Sequence, residues 1–131
     1  NMMKVKDVML PLGKFPILKP NNLLKEALVE MVKSRLGLVC ILDQNKKLIG
    51  IFTDGDIRRM LLKNQKPFSA FFVDDIIVHA NKKPTVCRDS DYLKDSLKLM
   101  EVKGIWDLPV IDDKGNLIGL FHLHQAISKL L

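Results

Sequence analysis

The chain has 131 residues, 47% hydrophobic and 27% charged, with a formal net charge of +6, enough for one compact domain or two small interdependent halves. Its longest uninterrupted apolar run, Leu38 to Leu42, falls far short of the roughly 20 residues that cross a bilayer, and no leader pattern opens the sequence, so a soluble cytoplasmic protein without a membrane partner is expected. Lysines spread along the chain and a single Trp and Tyr do not make the basic, aromatic-interleaved stripe of a nucleic-acid binder.

In chain order, Pro16 to Lys19 reads as a short extended piece that can add an edge strand. Leu24, Ala27, Leu28 and Met31 recur at three- and four-residue spacing, which predicts an amphipathic helix with Asn22 placed to cap it. Leu38 to Leu42 is an apolar run of strand length, Asp43 to Lys47 a polar turn, and Leu48 to Phe52 a second strand. A turn that short joins antiparallel neighbours, because a parallel return needs a crossover of a dozen or more residues. A helix over about Asp54 to Lys63 follows. Gln65 to Ala80 is a connector, and Phe68, Phe71, Phe72 and Val73 predict that it is packed down. The pattern then restarts. Pro84 to Arg88 is extended, Ser90 is placed as a cap, and Leu93, Leu97 and Met100 mark a helix. Leu108 to Ile111 and Leu117 to Phe121 are strands around the turn Asp112 to Asn116, and a helix over about Leu123 to Leu130 ends the chain. Cys40 and Cys87 lie in or beside apolar runs and read as two free, buried thiols.

This restart is a true repeat. Residues 24–62 align with 93–131 without a gap, matching Leu24, Met31, Asp43, Leu48, Ile49, Gly50, Phe52 and Leu61 to Leu93, Met100, Asp112, Leu117, Ile118, Gly119, Phe121 and Leu130. Leucine-rich helices explain Leu against Leu, but not the aligned Asp and Gly. Each repeat is a β-α-β-β-α unit, giving an α/β (α+β) fold of two repeats related by a pseudo-twofold axis. The expected division is 1–64 for the first repeat, 65–80 for the connector and 81–131 for the second repeat.

The most informative string is Gly50-Ile51-Phe52-Thr53-Asp54-Gly55-Asp56-Ile57-Arg58-Arg59. A strand gives way to a helix whose start carries Thr53, Asp54 and Asp56. Unpaired N–H groups and the positive dipole end there suit a phosphate, and a carboxylate three residues after Thr53 can accept hydrogen bonds from ribose hydroxyls. Equally, Thr53 can be an ordinary N-cap and Asp56 a dipole-compensating carboxylate. The second repeat has His122 and Gln125 where Thr53 and Asp56 stand. His122 and His124 can contact a phosphate or a sugar-acid carboxylate, or serve locally as capping or solvent groups. Two imidazoles alone make a poor zinc set, so no metal is expected. Arg58 and Arg59 offer charge to an anion or point to solvent. Trp106, beside Asp107, can stack on a base or be part of the core.

The helix-hairpin-helix grammar, with Gly-Ile-Phe-Thr-Asp-Gly-Asp-Ile-Arg-Arg in one half and Leu-Pro-Val-Ile-Asp-Asp-Lys-Gly-Asn-Leu-Ile-Gly in the other, resembles a tandem pair of cystathionine β-synthase (CBS) domains, a Bateman module. The resemblance runs from about Val5 to Leu131. It implies ribose and phosphate recognition at Thr53 and Asp56 only, and a role for Trp106 and Asp107 in lining the cleft; Asp54, Gly55 and Arg58 are further ligand-binding candidates from their place at the helix start. The second repeat lacks the Thr and Asp, which puts a second ordinary nucleotide site in doubt. Phe-Thr-Asp-Gly-Asp-Ile-Arg-Arg together with His122-Leu-His124 is similar, more narrowly, to the C-terminal CBS pair of bacterial arabinose 5-phosphate isomerases. Those enzymes carry a sugar-isomerase (SIS) domain before the pair and feed Kdo synthesis for lipopolysaccharide. That likeness implies a regulatory fragment attached to a catalytic domain in a longer chain; a homodimer is expected because paired repeats leave apolar helical faces exposed. Its implied ligand is a nucleotide or a nucleotide-sugar such as CMP-Kdo.

No Ser-His-Asp set, P-loop, dinucleotide fingerprint or zinc-hydrolase helix is present in the sequence. The chain is therefore expected to have no catalytic residues and no cofactor in the catalytic sense. Two further readings remain open: an AMP or ATP sensor on another parent enzyme, and a ligand-free dimerisation module.

Overall fold

The computed structural model describes residues 2–63 and 65–131; the outer bounds of the expected first repeat, Asn1 and Asn64, lie outside them. In chain order the elements are β1 (Leu10–Pro11), β2 (Ile17–Leu18), α1 (Leu24–Ser34), β3 (Leu38–Leu42), β4 (Leu48–Thr53), α2 (Asp54–Lys63), α3 (Ile76–His79), α4 (Leu93–Lys103), β5 (Asp107–Ile111), β6 (Leu117–His122) and α5 (Leu123–Leu130). Short 3-10 turns occupy Val5–Asp7 and Phe68–Phe71. The chain divides into two compact units, one running from Pro16 to Pro84, the other combining the residues up to Phe15 with Thr85–Leu131.

In the unit formed by Pro16–Pro84, the sheet order is β2-β3-β4, with β2 parallel to β3 and β3 antiparallel to β4. Its core gathers Leu24, Ala27 and Met31 from α1, Val39, Ile41 and Phe52 from the hairpin, and Met60, Phe71 and Ile76. The other unit orders its sheet β1-β6-β5, all antiparallel. Leu93, Met100, Leu108, Val110 and Phe121 occupy the same repeat positions in its core. Burying an aromatic such as Phe52 or Phe121 completely contributes about 1.5–3 kcal/mol.

The repeat is visible in the backbone even where the residues differ. Both hairpins slip register at the same place, between Ile41 and Leu42 and between Val110 and Ile111. In both turns an aspartate side chain, Asp43 or Asp112, accepts from the N–H groups two and four residues on. Arg35 (φ 59°) and Lys46 (φ 65°) adopt the left-handed conformation that Gly104 and Gly115 supply in the second repeat. Leu18 pairs with Ile41, and Cys87 forms the matching single bridge with Val110, so Pro84 to Arg88 reduces to one bridge where an edge strand was expected.

The segments before each repeat are also equivalent. The Val5 N–H donates to the Asp91 carbonyl, as that of Ile76 does to Asn22, and the Leu93 N–H donates to Met3, as that of Leu24 does to Asp74. Leu10 pairs with Leu120, and Asn81 bridges Ile51. The segment preceding the first repeat thus joins the second, and the segment between the repeats joins the first. This differs from the division expected from sequence, because these segments share apolar character at a few positions and almost no identical residues. Phe68, Phe71 and Phe72 pack on the core of the Pro16–Pro84 unit, which makes the connector part of that unit.

Gly50 and Gly119 let these segments approach. A Cβ on Gly119 would lie 2.9 Å from the Leu10 carbonyl oxygen, and one on Gly50 would lie 3.2 Å from that of Asn81. Protein backbone, rather than a ligand, is what these glycines admit. The helix caps also differ from expectation. The N-cap positions fall at Leu23 and Tyr92, one residue after Asn22 and two after Ser90. The Leu23 N–H is satisfied by Glu26, whose other carboxylate oxygen accepts from the Asn22 amide. Asn22 acts through Glu26, not on the helix itself.

Candidate functional site

The junction of β4 and α2 assembles the first candidate set. Thr53 is the last residue of the strand, and its backbone N–H donates to Asp56 Oδ2 at 2.9 Å. The Thr53 hydroxyl lies 3.2 Å from the same oxygen and 3.4 Å from the Asp56 N–H. This reciprocal arrangement is a capping box with Asp in place of the more usual Glu. The ordinary helix-capping role open to both residues is therefore present. The same contacts hold a hydroxyl and a carboxylate side by side at a helix N-terminus, where oxyanions are favoured. Asp56 is only 9% exposed, and its Oδ1 accepts from Arg59 Nη2 at 2.7 Å. The guanidinium itself is largely exposed. Arg59, and not Arg58, is the arginine brought to the carboxylate; Arg58 is exposed on the helix.

Asp54 and Gly55 complete this junction. The Asp54 N–H donates to the Gly37 carbonyl at 3.0 Å, and a Cβ on Gly37 would collide with Asp54 Oδ2. Gly37 thus leaves room for the carboxylate that opens α2. Gly55 lies under Thr53 Oγ1 and the Arg59 guanidinium, each 3.4 Å from where its Cβ would be.

The matching junction of β6 and α5 carries different chemistry in the same frame. The Leu123 N–H donates to the Trp106 carbonyl at 3.0 Å, as Asp54 does to Gly37. His122 ends the strand as Thr53 does, but its Nδ1 lies 2.6 Å from Asp107 Oδ1. Both side chains are nearly buried, 13% and 12% exposed. The cause is register: Asp107 is the Cα partner of His122 across the hairpin, as Leu38 is of Thr53, and directly opposite side chains meet. His124 stacks on Trp106 with ring centroids 5.7 Å apart and planes within 9°. His122 and His124 are themselves 6.0 Å apart. Trp106 is 58% exposed, so it is not a core residue. It also lines an apolar groove of about 400 Å³ with Leu97, Met100, Glu101, Gly104, Ile105 and Leu123. From sequence Asp107 was expected to line the cleft with Trp106, and not to pair with His122; its alignment with Leu38 in the repeat is the signal for that pairing.

Among the described residues, no three His, Cys, Asp or Glu side chains are grouped to hold a metal ion. No helix among them is long and apolar enough to cross a membrane. Cys40 and Cys87 are buried.

The family model for the CBS domain matches twice, over residues 5–63 and 73–131. An uncharacterized protein of Helicobacter pylori is 34% identical over 127 residues, covering 95% of this chain and 36% of its own length. The arabinose 5-phosphate isomerase KdsD of Pseudomonas aeruginosa is 32% identical over 126 residues, covering 96% of this chain and 37% of its own. The chain thus spans little more than a third of these relatives. Among solved structures, CBSX2 in complex with AMP superposes with a TM-score of 0.83 at 27% identity, covering 97% of this chain and 95% of the other.

Proposed function

This chain belongs to the CBS domain family, as a tandem pair, and on that premise we propose that it binds a nucleotide or nucleotide-sugar and regulates an attached enzyme. Thr53 and Asp56 hold the ribose and phosphate, with Asp54, Gly55 and Arg59 framing them. The observation that carries this reading is the Thr53–Asp56 pair at the start of α2, where a hydroxyl, a carboxylate and helix N–H groups converge. Arg58, exposed one residue before Arg59, supplies further positive charge for the approach of an anion.

The parent enzyme in this reading is a sugar-phosphate isomerase, arabinose 5-phosphate isomerase, acting in carbohydrate and lipopolysaccharide synthesis. Its support is the 32% identity to KdsD over almost the whole chain. A CMP-sugar such as CMP-Kdo carries a ribose-phosphate of the kind that Thr53 and Asp56 are suited to recognise. The departure of the second repeat from Thr and Asp favours such a ligand over two equivalent nucleotides. The module itself contributes no catalytic residue. It biases the attached enzyme through differential affinity for two conformations. Two buried cysteines in place of a disulfide-rich scaffold suit a cytoplasmic setting, and the exposed Val32, Leu61, Leu62 and Val102 suit a homodimer.

Adenine nucleotide sensing is the second reading, favoured by the likeness to CBSX2, which was crystallised with AMP. Thermal unfolding in the presence of AMP, ATP, CMP and CMP-Kdo tests both. A ligand at about a hundred times its Kd adds about 2.7 kcal/mol to the folded state. A rise in Tm with CMP-Kdo above that with AMP or ATP supports the nucleotide-sugar reading. A chain that ignores all four and still sediments as a dimer is a dimerisation module.

A further inference from the structure

We propose that Asp107 is the positioning residue of the second repeat's ligand set: its carboxylate fixes His122 with the proton on Nδ1, so that Nε2 is the ring nitrogen offered to an acidic sugar. This rests on the reading that the module binds a nucleotide-sugar with an acidic sugar, and concerns the second repeat by itself.

At these junctions the repeats differ at Gly37, Leu38, Thr53, Asp54, Gly55 and Asp56, which align with Trp106, Asp107, His122, Leu123, His124 and Gln125. A lone His in place of Thr53 would be a local substitution. Here the strand partner, the residue before it and the first turn of the helix have all changed with it. An ionised carboxylate only accepts, so the 2.6 Å contact requires the hydrogen on Nδ1. No other hydrogen bond to the ring occurs among the described residues, and no buried side-chain nitrogen or oxygen there lacks a partner. Nε2 therefore has no partner among the described residues and is not completely buried. It is an acceptor for a sugar hydroxyl in the neutral ring, and a donor to a carboxylate in the imidazolium, whose charge Asp107 offsets. Beside it, the stacked Trp106 and His124 rings present an exposed aromatic face of the kind that packs on the apolar side of a sugar. A carboxylate bound to one ring nitrogen orients the other in the same way at metal-ligating histidines in general.

The test uses the whole chain, labelled with ¹⁵N-histidine, and two substitutions. In the wild type, ring ¹⁵N spectra recorded without ligand are expected to show His122 protonated on Nδ1, the tautomer that a free imidazole disfavours. Asp107→Asn keeps an oxygen acceptor and is expected to preserve it; Asp107→Leu, the first repeat's residue, is expected to shift the proton to Nε2. Calorimetry should then show CMP-Kdo binding weakened at least about tenfold by Asp107→Leu, equivalent to 1.4 kcal/mol, rescued by Asp107→Asn, with CMP affinity unchanged. A wild-type ring protonated on Nε2, or CMP-Kdo affinity unmoved by Asp107→Leu, overturns the proposal. Failure of the wild type to bind CMP-Kdo overturns the sugar-acid reading of this set, whereas the ring spectrum decides separately whether Asp107 fixes the tautomer.

Discussion

His122 and Asp107 are register partners across the second hairpin and meet at 2.6 Å, where the first repeat sets Thr53 opposite Leu38. Because the two nearly buried groups satisfy each other, they are expected to be strongly coupled in stability. His122→Thr alone leaves the carboxylate without its partner and should cost about 1–3 kcal/mol in urea unfolding. Asp107→Leu/His122→Thr, which installs the first repeat's own pair, should recover most of that loss, giving a coupling of about 0.5–3 kcal/mol. Additive effects would mean that the contact contributes nothing to folding.

Gly119 is expected to be far less tolerant than its neighbours. A Cβ there meets Met9 Sδ at 2.7 Å and the Leu10 carbonyl oxygen at 2.9 Å, and backbone yields less readily than a flexible side chain. Gly119→Ala should destabilise by about 1–3 kcal/mol. Gly50→Ala, with its nearest backbone atom at 3.2 Å, should cost less. Comparison of urea midpoints at constant m-value checks the order.

Arg35 and Lys46 hold left-handed backbone without the freedom of glycine. Their counterparts, Gly104 and Gly115, show what the fold prefers at these two places. Arg35→Gly and Lys46→Gly should each stabilise by about 0.5–1 kcal/mol, the strain relieved less the added entropy of the unfolded chain. Unfolding free energies of the single variants test this.

Much of the fold was legible in the sequence because the aligned Leu, Asp, Gly and Phe positions are the ones that set core, turn and close approach. The hairpins and four of the helices fall within a residue or two of expectation. What escaped was long-range. Nothing in Val5-Lys6-Asp7-Val8 signals that it takes up in one unit the place that Ile76-Ile77-Val78-His79 takes in the other, since the shared information is backbone hydrogen bonding and not side-chain identity. The first candidate set was legible from Thr53 and Asp56, while the choice of Arg59 over Arg58 depended on which face of α2 turns toward the carboxylate. Asp107 was hidden for a related reason, because its partner is fixed by strand register and not by distance along the chain.

Burial, and next the negative charge of Asp91, push the Cys87 thiol up to about 12 from an ordinary value near 9.0, against a partial offset from a hydrogen bond with Ser96. Between those values the unfolded chain has released a proton that the folded chain retains. The contribution of Cys87 to stability is thus complete below about pH 9 and declines as pH rises toward about 12. Unfolding measured at about pH 8 and about pH 10.5 should show a loss that Cys87→Ala reduces. Thiol reagents at about pH 8 should label Cys87 only on unfolding, since the thiolate is the reactive form.

The most direct test of the central claim is calorimetric titration of AMP, ATP, CMP and CMP-Kdo into the wild type, Asp56→Ala and His122→Ala. If Thr53 and Asp56 grip the ribose-phosphate, CMP-Kdo binds the wild type tightest, Asp56→Ala weakens it by about 1–3 kcal/mol through lost charge-assisted hydrogen bonds, and His122→Ala weakens CMP-Kdo but not CMP. Unchanged affinity in a folded Asp56→Ala variant would contradict the assignment of the site. Tighter binding of AMP or ATP than of CMP-Kdo, indifferent to His122→Ala, would contradict the nucleotide-sugar reading and leave an adenine-nucleotide sensor in its place.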